Sequence, residues 1–116
     1  MSSVWLPEVV GDPAGMRALA AGLRGDATAV GELASELDGE VKRMVFEGPA
    51  ADEFHARMQA SIGQCTSAAT ELLSTANLLD TSATQVGAAQ QERLRRMDEM
   101  RQAALAQKRA AARSTP

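Results

Sequence analysis

One Gly-Pro pair, Gly48-Pro49, interrupts a long helical pattern of apolar residues near the middle of this chain. Before the break the apolar positions run Met16, Leu19, Leu23, Ala27, Val30, Leu33, Leu37, Val41, Met44 and Val45. After it they run Phe54, Met58, Ile62, Cys65, Ala69, Leu72, Ala76, Leu79, Ala83 and Val86. Steps of three and four place each set on one face of a helix. Gly48 adopts backbone conformations closed to other residues, and Pro49 cannot continue the first helix but suits the first turn of the next. A break this short between two matched runs predicts an all-α fold, an antiparallel hairpin with arms about 50 Å long.

The helix ends carry their own signals. Asp12 is placed to cap the first helix, with Pro13 at the first helical position, where its missing N–H is not needed. Asp52 and Glu53 put acidic groups at the positive end of the second helix. The expected layout is an extended arm over 1–11 and a hairpin unit over 12–90, followed by a tail over 91–116. Within the hairpin unit the helices are expected at 12–46 and 50–86, joined by a turn at 47–49.

A strict seven-residue series, Met16, Leu23, Val30, Leu37 and Met44, runs along the first helix beside a line of small residues, Ala20, Ala27 and Ala34, that ends in Val41. Small side chains along one line let a neighbouring helix approach closely over several turns. The chain has 23 Ala but only 21 Leu, Ile, Val and Phe together. Alanine contributes little buried area, so two such helices cover each other's apolar faces poorly. Dimerisation into a four-helix bundle is therefore expected, through an assembly surface of Met16, Leu23, Val30, Leu37, Met44, Met58, Ile62, Leu72 and Leu79.

Several function classes find no support in these residues. A single Cys65 and a single His55 supply neither a disulfide nor a metal cluster. They lie ten residues apart, about 15 Å along a helix, too far for a nucleophile and its base. Cys65 falls in the apolar stripe and His55 at the rim near the turn, where solvated surface accounts for it. The acid pairs Glu36/Glu40 and Asp52/Glu53 read as solvated helix faces. No catalytic residue, metal or cofactor is expected. With no Tyr and 3% aromatic residues, a stacking platform for single-stranded nucleic acid is disfavoured. Apolar stretches fall far short of the ~20 residues that span a bilayer. The first ten residues lack the basic and apolar regions of a signal peptide, so any export is expected by a signal-peptide-independent route.

Charge divides the chain. Residues 1–90 hold 5 basic and 12 acidic side chains, a net of -7, whereas 91–116 hold 7 basic and 3 acidic, a net of +4. Leu94, Met97, Met100, Ala104 and Leu105 continue a weaker apolar stripe into this tail. It either extends the second helix or folds back after Gly87. Arg93, Arg96, Arg101 and Lys108 are its candidate contacts. An acidic protein surface suits them best; an anionic membrane is a weaker candidate and nucleic acid a poor one, because the positive patch is sparse and interrupted.

Residues 9–90 resemble the WXG100 (ESAT-6-like) superfamily of type VII secretion substrates. Val10-Gly11-Asp12-Pro13 followed by 18–23 is similar to the first-helix start of actinobacterial members. Phe46-Glu47-Gly48-Pro49-Ala50-Ala51-Asp52-Glu53-Phe54 is similar to their turn and second-helix start. Phe46 stands where the family carries the Trp of its Trp-x-Gly motif, and Gly48 is retained; Phe46 is also the residue expected to close the turn end of the bundle. The only tryptophan, Trp5, lies in the arm. The resemblance implies a helical hairpin that pairs with itself, with a paralogous hairpin, or with a larger effector or secretion component. It also implies a secreted or cell-surface destination. The family's Tyr-x-x-x-Asp/Glu export signal has no counterpart here, so the resemblance further implies either a partner that carries the signal or a cytoplasmic adaptor or chaperone role.

Overall fold

The computed structural model describes residues 6–44 and 47–114. Two helices make up the fold, α1 (Pro13–Arg43) and α2 (Pro49–Ser114), packed as an antiparallel hairpin. The molecule is a rod of 104 × 16 × 12 Å. Phe46, Val45 and Trp5 lie outside the described residues, as does whatever Phe46 does at the turn.

Local chemistry sets the helix ends. The Asp12 carboxylate accepts from the Gly15 amide at 3.0 Å, and its carbonyl accepts from the Met16 amide at 2.9 Å. Gly15 leaves room for this cap, because a Cβ there would collide with the Asp12 carboxylate. Pro13 occupies the first turn as expected. At the other end Lys42 and Arg43 face the negative helix terminus, and Met44 turns to an extended conformation. α1 therefore ends at Arg43, three residues before the expected boundary at 46. Gly48 takes φ +111°, and its carbonyl accepts the Asp52 amide at 3.0 Å, opening α2 at Pro49.

The two arms are not equal. α1 is about 46 Å long and α2 about 99 Å. The second helix does not stop at 86; it runs unbroken through Gly87 to Ser114. Gly87 is half-buried, with Pro13 Cγ 3.8 Å from where its Cβ would stand. The start of α1 thus packs over the glycine after which α2 was expected either to continue or to fold back.

Ala20, Ala27, Ala34 and Val41 bury the face of α1, and Ala51, Ala76 and Ala83 that of α2. No buried polar or charged side chain occurs among the described residues. The α1 set repeats every seven residues, so a single line of small side chains faces α2 along its whole length. The larger residues of the parallel series, Met16, Leu23, Val30 and Leu37, are only half-buried, and Met44 is exposed. Close approach explains this arrangement: methyl groups let the helix backbones draw together, and the leucines then flank the seam instead of filling it.

Candidate interaction surface

The seam divides the hairpin into two unlike flanks. Relative to the buried line of α1, the Leu23, Val30 and Leu37 line is rotated about 60° to one side, with Leu19 and Leu33 farther round in the same direction. The line of Arg24, Gly31 and Asp38 is rotated about 40° to the other side. On α2, Met58, Cys65, Leu72, Leu79 and Val86 border the first flank, and Gln59, Thr66, Leu73 and Asp80 border the second. The first flank is apolar; the second is polar apart from Leu73, which is 44% exposed.

The polar flank holds the cross-links. Arg24 Nη2 donates to Asn77 Oδ1 at 3.0 Å and to Asp80 Oδ2 at 2.5 Å. Gln59 Nε2 donates to Asp38 Oδ1 at 3.2 Å, and Lys42 pairs with the same carboxylate at 2.8 Å. Hydrogen bonds from Lys42 and then Gln59 hold the Asp38 carboxyl below the usual carboxylate range. Arg24 and Asp80 are each more than a third exposed, so this ion pair adds about 1 kcal/mol or less. Its value lies in position, since it ties the middle of α1 to one turn of α2.

The apolar flank has no covering element among the described residues. Met16, Leu23, Val30, Leu37, Met58, Ile62, Leu72 and Leu79 are half-buried. Leu19 and Leu33 are 56% and 51% exposed, and Met44 45%. Cys65 is half-buried on the same flank. Ile62 sits nearer the seam than the other α2 residues of the set. The expected assembly residues thus share one side of the rod, with the exposed leucines at its rim.

Beyond Pro13 the arm takes over the position of α1. Residues 6–11 run extended along α2, and Gln90 Nε2 donates to the carbonyls of Val9 at 3.2 Å and Gly11 at 3.0 Å. Arg93 Nε donates to the carbonyl of Leu6 at 3.2 Å. A Cβ at Gly11 would stand 2.8 Å from Val86 Cγ1, so only glycine allows the arm this close. A shallow cleft of about 310 Å³ opens where Leu6, Pro7 and Val9 meet Ala89 and Arg93.

The tail cations are put to different uses. Arg93 grips the arm. Arg95 bridges Glu92 and Glu99, and its hydrogen bond to Glu92 holds that carboxyl below its usual range. Arg96 lies 3.4 Å from Glu92 and Arg101 4.0 Å from Asp98. Lys108, Arg109 and Arg113 have no ion pair among the described residues. Near the turn, the Phe54 and His55 rings meet edge to face at 6.1 Å.

Sequence reading missed the clasp of Arg24 with Asp80 and the grip of Gln90 and Arg93 on the arm. The first was accessible in principle. A hairpin folded at Gly48 sets residues opposite one another when their numbers add to roughly twice that position, as Asp38 and Gln59 do, and the long Arg24 side chain reaches along the seam from there to Asp80. The second left no signal, because its acceptors are backbone carbonyls. No group of three or more metal-ligating side chains occurs among the described residues, and no described helix is long and apolar enough to cross a membrane. Comparison of the chain with protein-family models, with curated proteins and with solved structures finds no match.

Proposed function

We propose that this chain is a non-enzymatic pairing module of the type VII secretion substrate or partner kind, acting by helix-to-helix association through its apolar flank. The observation that carries this reading is the flank itself: two lines of half-buried residues rimmed by exposed Leu19 and Leu33, running together along one side of the hairpin. A contiguous apolar surface of this kind marks an association site. A second helical hairpin laid on it completes a four-helix bundle. The elongated hairpin, its Gly-Pro turn and the Asp12-Pro13 start agree with the resemblance to WXG100 (ESAT-6-like) proteins. In that setting the chain leaves the cell with a partner that carries the export signal, or stays in the cytoplasm as an adaptor.

The test is sedimentation of the full chain beside Leu33→Asp, together with recovery of the tagged full chain from native cytosol and culture medium. The reading expects a folded dimer or a helical-hairpin partner, lost in Leu33→Asp with helicity retained. A folded monomer that recovers no helical partner overturns it, as does salt-sensitive recovery of nucleic acid alone. Presence in the medium separates the exported arrangement from the adaptor.

A further inference from the structure

Beyond Arg93, the last α2 residue to hold the arm, α2 continues over 94–114 with no chain beside it among the described residues. That stretch is about 31 Å of single helix. The line that buries Ala76 and Ala83 continues into it as Met97 and Ala104, and the line of Leu79 and Val86 continues as Met100. Leu94, Met100 and Leu105 are exposed. The face that α1 and the arm occupy lower down is therefore carried on, unoccupied.

Charge points to what fills it. Residues 100–114 contain Arg101, Lys108, Arg109 and Arg113 and no acid. The middle of the hairpin is the reverse: 25–41 contain Asp26, Glu32, Glu36, Asp38 and Glu40, and the facing 58–79 contain Glu71, with no basic residue in either stretch. The two segments match in length, about 22 Å of tail against about 26 Å of α1. At the rim of the apolar flank, Leu19, Asp26, Leu33 and Glu40 follow one another at seven-residue steps, so exposed leucines alternate with carboxylates. On the tail, Arg101 and Lys108 lie one heptad apart beside Met97, Met100 and Ala104.

We infer that the tail helix of one copy seats on the apolar flank of a second copy, with its cations against the acidic rim. This rests on the pairing reading and names the occupant of the flank when the partner is another molecule of this chain. The tail cannot serve its own hairpin. Its centre, near residue 107, lies about 60 Å along a continuous helix from the middle of the flank, near residue 67. A twofold axis across the rods near Gly87 lets each copy's tail reach the other's flank. The two rods are then staggered, with each flank covered by one helix instead of by an in-register hairpin. A membrane or nucleic acid fits the same cations less well, because the net -7 of 1–90 lies on the same rigid rod and opposes any anionic surface.

Two measurements on the full chain test this. In the first, Arg101→Glu/Lys108→Glu and Asp26→Lys/Glu40→Lys are prepared separately, all at exposed positions where circular dichroism verifies helicity. Each alone is expected to self-associate on the order of tenfold more weakly than the parent at low salt, and mixing the two restores association. In the second, Gln107→Cys is treated with a short bifunctional thiol reagent. The staggered pair gives an interchain link between Cys65 of one copy and the thiol introduced at position 107 of the other; within one chain these positions are about 63 Å apart and cannot react. Parent-like association of both charge variants, or an interchain link between the two copies of Cys65 as the main product, overturns tail docking and leaves hairpin pairing standing. A parent that stays monomeric at every concentration removes self-pairing altogether. Association that requires added anionic vesicles or nucleic acid also overturns the inference.

Discussion

Ala76→Leu puts the alanine seam to a direct test. Ala76 is fully buried and neighbours Asn77, which accepts from Arg24 across the hairpin. Leucine adds three carbons, which would contribute up to about 2.4 kcal/mol if the seam had space for them. Around this site the seam is closed: Ala76 and Ala83 on α2 and Ala20 and Ala27 on α1 are at most 4% exposed, so the added atoms are expected to push the backbones apart. Even a gap of about 0.5–1 Å forfeits roughly a quarter to a half of each dispersion contact along that stretch. Overpacking of this kind costs about 1–3 kcal/mol net. The same change at exposed Ala60, on the outer face of α2, should alter stability by about 0.5 kcal/mol or less. The assay is urea unfolding of the full chain followed by far-ultraviolet circular dichroism at matched protein concentration. An expected loss of about 2 kcal/mol at Ala76 against near silence at Ala60 supports the close seam. Equal or greater stability for Ala76→Leu would show that the helices stand apart with unfilled space, and would refute the argument.

Gly48→Ala should cost about 1–2 kcal/mol by the same assay, through backbone conformation alone, because nothing lies within 4 Å of the added Cβ. The double variant Gln90→Ala/Arg93→Ala should free residues 6–11, seen as faster limited proteolysis of the arm with helicity unchanged; equal protection would show that the side-chain grip is not what holds it. At protein concentrations too low for association, amides of 94–114 should exchange with solvent faster than those of the paired part of α2, since only the helix's own hydrogen bonds protect them in the single chain. The Asp38 carboxyl, lowered by Lys42 and Gln59, contributes stability that is present above its unfolded pKa of about 4 and is lost as pH falls through its folded value. Thermal unfolding of Asp38→Asn should therefore fall below the parent at neutral pH and converge with it in strong acid.

Both helices, the capped start at Asp12-Pro13 and the turn at Gly48-Pro49 were legible in the sequence, because each depends on chemistry within a few residues. The identity of the inward line was harder to read. Periodicity puts Ala20, Ala27 and Ala34 next to Leu23, Val30 and Leu37 without saying which faces the partner helix, and burial area alone favours the leucines. Backbone approach decides for the alanines, and that is a property of two helices together. The run of α2 through Gly87 was open for a similar reason, since a glycine's tendency to bend is overruled by the packing of Pro13 against it. The arm's docking was invisible because Gln90 and Arg93 bond to carbonyl groups, which every residue carries.

The alanine line also has a consequence for how the hairpin knows its own alignment. Ala20, Ala27 and Ala34 are identical teeth at one pitch, and a ratchet with identical teeth stores no address: a slip of one heptad, about 10 Å, sets methyl against methyl again. The information must come from marks that occur once. Arg24 with Asp80, Asp38 with Gln59, and Gly11 against Val86 are such marks, spread over the length of the rod. They contribute little energy each, yet they single out one setting from several that the seam would accept almost equally. Removing all three would leave a hairpin about as helical as before, held in alignment by the shortness of its turn at one end and the grip of Gln90 and Arg93 on the arm at the other.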